Sequence, residues 1–337
     1  MNVLVVGGGG TIGSTVAYTL ATQFPAMDLT LADSQTEFTE GHAIDIHHSR
    51  CHVAHSVGRK EFDDKRPGEV AVVDPESSPS TDPIDAADVI VVTASAPRDP
   101  DSFERGGRLS ALEENLELAA ELGEWLAEGE PTPTVVVANP SDRITHRYWE
   151  ETGWPRRFFL GYSLSETARI ADELARRVDA DDLDAGTLDD DSVSPADVYC
   201  PILGEHGEHI VPVFSRATVA GEPIGLSVDE REEILDYVRS IPYEVIEMRD
   251  GEDSSRWVTS RGVSLIVSRL LEDGTDPNDP VCLSTPLQGE YGLEETCVSV
   301  PVVLDGDGVA EIVEWELSAD ERERLERAAA AVRESLD

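Results

Sequence analysis

The chain has very few lysines for its length. Of its 337 residues, 26 are Lys or Arg and 69 are Asp or Glu, and only Lys60 and Lys65 are lysine. The formal net charge of −43 at pH 7 argues against binding to nucleic acid or to an anionic membrane, both of which require a basic surface. An acid-rich, lysine-poor surface suits concentrated salt, where ions screen the repulsion between like charges. We therefore expect a halophilic protein that is stable at molar salt.

Cysteine and long apolar runs are also scarce. The four cysteines are scattered without a C-x-x-C pair, which predicts reduced, mostly structural thiols: Cys51, Cys200, Cys282 and Cys297. No stretch reaches the roughly 18 consecutive apolar residues of a transmembrane helix. The first residues form a strand pattern rather than a signal peptide. Together these features predict a cytoplasmic protein with a folded core beneath an acidic shell.

Strand and helix patterns alternate in the first half of the chain. Strands are predicted at Asn2–Val6, Leu29–Ala32, Val70–Val73, Val89–Thr93 and Thr134–Ala138, and helices at Ile12–Phe24, Glu37–His48, Gly107–Ala127 and Ser141–Glu151. This alternation predicts an α/β fold with a mostly parallel, doubly wound sheet. Residues 58–83 are polar and hold both lysines, which indicates a surface elaboration between strands.

The second half has a mixed pattern. Helices are predicted at Ser165–Val178, Asp229–Met248, Trp257–Glu272 and Ser318–Ser335, and extended segments at Val198–Leu203, Val281–Thr285, Thr296–Val303 and Ala310–Glu314. The pattern predicts a mixed α+β domain packed directly on the first, with the functional crevice between them. We place the two domains at residues 1–143 and 144–337.

Glycines fill the turn after the first predicted strand. Gly8, Gly10 and Gly13 fit G-x-G-x-x-G, and Gly7, Gly10 and Gly13 fit the related G-x-x-G-x-x-G. Such glycines let the backbone turn tightly and approach a pyrophosphate, which then sits at the positive end of the following helix. Four glycines alone could be a flexible turn. The strand before them and the helix after them favour a dinucleotide site.

An acid follows the second predicted strand. Asp33 lies 20 residues after Gly13, near the spacing at which an acid binds the ribose hydroxyls of a dinucleotide. A carboxylate at this place repels a 2′-phosphate, so the sequence favours NAD over NADP. The first domain is therefore expected to be a Rossmann domain that binds NAD.

One histidine lies in a setting that suits proton transfer. His206 stands between Gly204 and Gly207, before an apolar strand pattern. A histidine held on such a turn can give and take a proton near neutrality, because the unperturbed pKa of imidazole is about 6.5. Taken alone, a turn histidine without chemistry is the simpler interpretation.

With the glycine turn and the His206 segment together, the chain resembles the lactate/malate dehydrogenase family, most of all its halophilic malate dehydrogenase branch. The matching segments are Pro201–Gly207, Ala138–Pro140 and Thr167–Arg169. The resemblance implies that His206 is the proton donor and acceptor. It implies that Asn139 contacts cofactor and substrate, and that Arg169 binds the substrate carboxylate.

The resemblance implies further roles for less distinctive residues. Arg108 matches the mobile-loop arginine that polarises the substrate carbonyl, and Ser255 matches a small residue lining the substrate pocket. Glu166 stands near the family's Asp, which pairs with the catalytic histidine. NAD is expected to be contacted by Gly7, Gly8, Gly10, Thr11, Ile12, Gly13, Asp33, Thr93, Ala94, Asn115 and Asn139.

The chain also departs from the family pattern. Glu166 is one methylene longer than Asp, Ser165 replaces a leucine, and the loop of residues 101–107 is longer than in malate dehydrogenases. Each charged candidate has a simpler interpretation. Arg169 could be a surface ion-pair partner, Glu166 a first-turn acid favoured by the helix dipole, and Arg108 a solvated residue. A catalytically altered NAD-binding protein is therefore an alternative of another class.

The reaction implied is reversible hydride transfer between NAD and C2 of a 2-hydroxy acid. Malate has a second carboxylate, for which Arg98 in Pro97–Pro100 supplies a cation and Arg105 is a further candidate. The sequence therefore favours malate, with L-lactate or another 2-hydroxy acid as the alternative. A homodimer or homotetramer is expected from the resemblance.

A cluster of possible metal ligands lies in one predicted helix. It comprises His42, His47, His48, Cys51, His52 and His55, which include pairs at i, i+4 spacing. The family has a similar stretch here without a metal, so we expect none.

Overall fold

The computed structural model describes residues 1–54, 66–76, 80–97, 107–178, 183, 192–250, 255–271, 276 and 278–336. The side chains of Val53, Ala54 and Arg108 lie outside this description.

Most of the described strands form one large sheet. Its spatial order is β3 (Val70–Val73), β2 (Asp28–Ala32), β1 (Asn2–Val6), β4 (Val89–Val92), β5 (Thr134–Val136), β6 (Phe159–Gly161), β12 (Val281–Gln288), β13 (Glu294–Asp305), β8 (Ile202–Gly204) and β9 (Ile210–Pro212), with β14 (Gly308–Ile312) paired to β13. The first six strands are parallel, and the others pair antiparallel. The order 3-2-1-4-5-6 is that of a doubly wound dinucleotide-binding sheet.

The parallel part is covered by helices on both faces. Val3 and Val5 of β1 share a hydrophobic core with α1 (Thr11–Gln23) and with α8 (Arg256–Leu271). Leu4 and Val6 face the opposite core, with α4 (Leu112–Ala127) and α5 (Ser141–Thr152). Strands buried on both faces read as continuous apolar runs, as β4 does. The α/β prediction, with a doubly wound parallel sheet, is confirmed.

Two further helices, α2 (Thr36–Ala54) and α3 (Asp82–Asp85), belong to the first half, and the other remaining elements build the mixed second half. The helices there are α6 (Leu164–Arg177), α7 (Val228–Glu247) and α9 (Ala319–Glu334), and a small sheet joins β11 (Glu222–Pro223), β10 (Thr218–Val219) and β7 (Val198–Tyr199). Ser227 and Ser318 cap α7 and α9, each with a glutamate three residues on. No helix in the described ranges is long and apolar enough to cross a membrane.

Two predicted elements are divided in the structure, and the expected surface elaboration overlaps the correctly predicted strand β3. The helix expected at Gly107–Ala127 is a short 3-10 turn followed by α4, because Ala111 has non-helical backbone angles. The extended segment Val198–Leu203 is split into β7 and β8, which belong to different sheets. Residues 66–76 of the expected surface elaboration include β3, the edge strand of the large sheet.

Candidate active site

The glycine turn joins the end of β1 to α1. Gly7 has φ +84°, and a Cβ there would meet the backbone of Ala94. A Cβ on Gly13 would meet the Gly7 carbonyl and the Thr93 side chain, whereas one on Gly10 would meet only the Gly7 carbonyl oxygen, at 3.4 Å, among the described atoms. Gly7 and Gly13 therefore serve close packing, and Gly10 leaves the approach to the α1 N-terminus open.

Asp33 follows β2 and lies against this turn. One carboxylate oxygen accepts the Gly9 N–H at 2.8 Å, and the other accepts the Gln35 N–H at 2.9 Å. The residue is thus held at the rim of an open groove. We call it the nucleotide groove; its lining includes Gly7, Gly10, Asp33, Gln35, Thr93, Ala94, Ser95, Ala96, Leu118 and Trp125.

The groove fits a dinucleotide. The N-terminus of α1 has no side-chain cap and no acidic residue in its first turn, so its N–H groups are free of competing carboxylates. Backbone N–H groups at a helix N-terminus attract a pyrophosphate. The acid at the rim is placed for ribose hydroxyls and against a 2′-phosphate.

A second cavity, which we call the histidine pocket, continues from the groove, since Thr93 and Ser95 line both. Its other lining residues are Ile12, Ala111, Asn115, Val137, Ala138, Asn139, Ser165, Arg169, His206, Pro242, Tyr243, Ile246, Ser255 and Thr259. Seven residues predicted from the sequence therefore lie together here: Ile12, Thr93, Asn115, Asn139, Arg169, His206 and Ser255.

His206 lies on the loop between β8 and β9 and is buried. Its Nδ1 lies 2.8 Å from Oε2 of Glu166 in the first turn of α6. The other Glu166 oxygen lies 3.5 Å from Nη1 of Arg169, one turn further along the helix. The extra methylene of glutamate thus still allows contact with the histidine, and one carboxylate stands between an imidazole and a guanidinium.

A second buried carboxylate holds the histidine from its backbone side. Oδ2 of Asp142, in the first turn of α5, accepts the His206 N–H at 2.8 Å. Complete burial raises the pKa of Asp142 to about 6. The Ser284 side chain and, to a smaller extent, the contacts with His206 lower this pKa, while the charge of Glu205 nearby raises it. Asp142 was missed in the sequence, although it directly follows the Asn-Pro-Ser turn.

The two predicted asparagines differ in whether their side-chain amides are already hydrogen-bonded within the chain. Asn139 lines the pocket, and its buried Oδ1 has no hydrogen-bond partner in the described part of the chain. The Asn115 amide is used within the chain, where it accepts the Ala96 N–H at 2.8 Å and donates to the Ala111 carbonyl at 2.7 Å. Asn139 is therefore the one placed to bind a ligand through its oxygen.

Some predicted residues are not brought into either cavity. Gly8 packs against Leu31, and Thr11 begins α1. Arg98, Arg105 and the side chain of Arg108 lie outside the described residues. Sequence reasoning had assigned no role to Ser95, Tyr243 or Thr259, which line the pocket.

The histidine-rich segment is mostly in α2. Among the described residues, no group of three or more His, Cys, Asp or Glu side chains is placed to hold a metal ion. His55, the last member of the cluster, lies outside the described ranges.

Comparison with known proteins matches both halves of the chain. Residues 1–161 match the family model described as lactate/malate dehydrogenase, NAD binding domain, and residues 187–337 match the lactate/malate dehydrogenase, alpha/beta C-terminal domain. The malate dehydrogenase of Halobacterium salinarum is 32% identical over 97% of this chain and 95% of that protein. L-lactate dehydrogenase 1 of Enterococcus faecalis is 28% identical over 99% and 93% of the two chains.

The fold is similar to solved structures as well. The crystal structure of Cryptosporidium parvum malate dehydrogenase superposes with a TM-score of 0.82 at 21% identity, covering 99% of this chain and 97% of that one. The chain therefore belongs to the lactate/malate dehydrogenase family, as an NAD-dependent dehydrogenase that acts on a hydroxy acid.

Proposed function

We propose that the chain is a malate dehydrogenase, which interconverts malate and oxaloacetate with NAD and NADH. The observation that carries this proposal is the contact of 2.8 Å between His206 and Glu166 beside Arg169, in a pocket continuous with the nucleotide groove. The name of the Halobacterium salinarum relative supports malate as the substrate.

His206 is proposed as the acid and base for the C2 oxygen. Nδ1 faces Glu166, and we assign proton exchange with the substrate to the other ring nitrogen, Nε2. The Glu166 carboxylate favours the tautomer protonated on Nδ1 and stabilises the imidazolium. NAD, when bound, supplies the hydride chemistry.

Arginines are proposed to bind and polarise the substrate. Arg169 lines the histidine pocket, and a guanidinium can grip the C1 carboxylate through two parallel hydrogen bonds. Arg108 is assigned to the carbonyl oxygen, where negative charge develops. Its backbone belongs to the 3-10 turn Gly107–Leu109, next to Ala111 of the pocket wall.

The choice of malate rests on Arg98, with Arg105 as a further candidate. Pro97, which precedes Arg98 in the sequence, lines the nucleotide groove. L-lactate or another 2-hydroxy acid is the second candidate, favoured by the similarity to the Enterococcus faecalis lactate dehydrogenase.

A direct test is NADH oxidation at molar salt with oxaloacetate, pyruvate and other 2-keto acids, for the natural chain and for Arg98→Gln. We expect oxaloacetate to be preferred and Arg98→Gln to reduce its turnover selectively. Preference for pyruvate would support the lactate alternative. If none of the keto acids is turned over while NADH still binds, the result would support a catalytically altered NAD-binding protein.

Further proposals concern the state of the protein. The net charge of −43 supports a halophilic, cytoplasmic enzyme, and loss of structure in dilute buffer is the expected result.

Exposed Phe38 and Ile44 on α2, with Trp257 and Leu265 on α8, support a homodimer or homotetramer. Light scattering at molar salt checks this. The domain boundary after residue 143 stays a prediction.

A further inference from the structure

A fully buried arginine lies next to the histidine pocket and has no part in the scheme above. Arg143 is in the first turn of α5, and its side chain is 2% exposed. Nη1 lies 2.6 Å from Oε1 of Glu205, Nη2 donates to the Ala331 carbonyl at 3.1 Å, and Nε donates to the Ser335 hydroxyl. Every guanidinium nitrogen therefore has a partner, as a charge buried this deeply requires.

The partner of Arg143 directly precedes His206. While Oε1 of Glu205 meets Arg143, its Oε2 accepts the His209 N–H at 3.3 Å, which closes the loop around the histidine. Asp142, the neighbour of Arg143, accepts the His206 N–H. Two consecutive residues of α5 therefore hold two consecutive residues of the loop, one through a side-chain ion pair and one through the backbone.

If Arg143 is left out, the charged groups around His206 are mostly carboxylates. Glu166, Asp142 and Glu205 are all buried carboxylates near the ring or its backbone. Arg169 lies beside Glu166, and Arg143 neutralises Glu205. Tyr162, whose ring centroid is 6.2 Å away, and Tyr243 also face the histidine, and His206 borders a further cavity lined by Glu208, His209 and Glu334.

We propose that Arg143 is a positioning residue for the dehydrogenase reaction, which fixes the Glu205–His206 dipeptide to α5 and balances the charge of Glu205. The inference rests on the proposed role of His206 as acid and base. Arg143 itself does not line the histidine pocket. Its contacts with Ala331 and Ser335 also tie the C-terminal helix α9 to this arrangement.

Removing either partner should shift the proton affinity of His206, in opposite directions. Arg143→Leu removes the guanidinium that lies 2.6 Å from Glu205, and the half-exposed His209 ring at 3.9 Å compensates this carboxylate only weakly. The remaining negative charge favours the imidazolium and raises the pKa of His206. Glu205→Gln leaves Arg143 as an uncompensated positive charge, which lowers it. We expect shifts of about half a pH unit or more, since a buried charge is screened weakly even at high salt.

The experiment compares full-length Arg143→Leu, Arg143→Lys and Glu205→Gln with the natural chain at molar salt. The pKa of His206 is read by nuclear magnetic resonance on protein with 15N-labelled histidine, with His206→Asn to assign the signal. Turnover of oxaloacetate and affinity for NADH are measured on the same samples. We expect Arg143→Leu to lower kcat about tenfold, with NADH affinity unchanged and partial rescue in Arg143→Lys.

Arg156 offers a matched control. It makes a two-pronged pair with Glu290, at 3.0 and 2.6 Å, outside both cavities. Arg156→Leu should lower the melting temperature while leaving kcat and the His206 titration unchanged. Ser335→Ala, which removes only the α9 hydroxyl from Arg143, should have a small effect in the direction of Arg143→Leu.

Several results would overturn the inference. Arg143 would be merely structural if Arg143→Leu lowered stability as Arg156→Leu does but left kcat and the His206 titration unchanged. If Arg143→Leu does not fold, an unshifted or alkaline-shifted titration in Glu205→Gln would equally contradict the charge balance. Absence of turnover in the natural chain would contradict the proposed function instead, and the titrations would still test the charge balance.

Discussion

The nucleotide groove and the histidine pocket, the two sides of the crevice, differ in the chemical groups that form them. At the nucleotide groove, glycines pack against strand ends and Asp33 is held at the glycine turn, while two further acids, Glu76 and Glu121, line the groove elsewhere. The histidine pocket is bordered by buried charges, in which Glu166 and Asp142 contact His206 directly. The helix N-terminus that binds a pyrophosphate must keep carboxylates out of its first turn, as α1 does, whereas a site for proton transfer must hold them in place.

The distribution of acids makes the contrast sharper. In a chain with 69 acidic residues, the first turns of α1 and α8 have none, while those of α2, α4, α5, α6, α7 and α9 each have at least one. Acids are favourable at helix N-termini, so their exclusion from α1 gives up a little stability to leave a binding site for an anion.

The largest expected effect comes from a substitution that should abolish proton transfer in the histidine pocket and leave the nucleotide groove unchanged. His206→Asn should lower kcat/KM for oxaloacetate by about 100- to 10,000-fold, because the proton acceptor for the C2 oxygen is lost. NADH binding, measured by fluorescence, should be unchanged because the groove lies on the other side. Normal turnover in this variant would remove the basis of the proposed mechanism.

Asp142→Asn tests the buried charges. Its pKa in the folded chain is raised from 3.8 to about 6, so the protonated form is favoured in the folded state. Its contribution to stability is therefore greatest below pH 3.8 and is lost as the pH rises through about 6. Relative to Asp142→Asn, the natural chain should lose up to about 3 kcal/mol of unfolding free energy over this range. Denaturant unfolding at several pH values and fixed salt measures this difference.

Glu290 should show the opposite dependence of stability on pH. Its hydrogen bonds with Arg156 lower the pKa of Glu290 to about 2. Its contribution to stability is present above pH 4.5 and is lost as the pH falls through about 2. Glu290→Gln should therefore be less stable than the natural chain at neutral pH, and the difference should vanish in acid. Parallel pH profiles for the two variants would contradict the assigned environments.

Gly13→Ala tests the backbone side. A Cβ there would meet the Gly7 carbonyl, so the glycine turn or α1 must move, at a cost of about 1–3 kcal/mol and with weaker NADH binding. Gly41→Ala in α2 is the matched control, since its Cβ meets nothing within 4 Å and should stabilise the helix by about 0.5–1 kcal/mol. Equal effects of the two substitutions would contradict the packing argument.

The smallest expected effect concerns the acid at the rim. Asp33→Ala should weaken NADH binding about tenfold while affecting NADPH less, because NADPH gains from the loss of charge. Asp33→Asn is the control, since its side-chain oxygen can still accept the Gly9 N–H. It therefore distinguishes the effect of the lost charge from the effect of a destabilised turn. Binding is measured by fluorescence titration with both cofactors. An unchanged ratio of affinities would contradict the role of Asp33 in cofactor choice.

The groove could be predicted well because its determinants are close in sequence. The strand, glycine turn, helix, strand and acid occupy residues 2–33, and spacing alone places them at one sheet edge. Errors arose where local spacing competes with other contacts. The β7–β8 region reads as one extended segment, but Pro201 has no N–H to donate and the chain changes sheets there. Helix spacing also continues through residues 107–111, although the backbone angles of Ala111 are not helical and α4 begins only at Leu112.

The amino-acid sequence by itself determined the α/β alternation, the glycine turn, the preference for NAD and the candidacy of His206, because these depend on neighbours along the chain. Only the tertiary structure decided which charges surround that histidine. Asp142 is 64 residues from His206, and Arg143 is 62 from Glu205. No periodicity reaches across such separations; the packing of α5 against the β8–β9 loop creates the contacts, and burial gives the charges their strength.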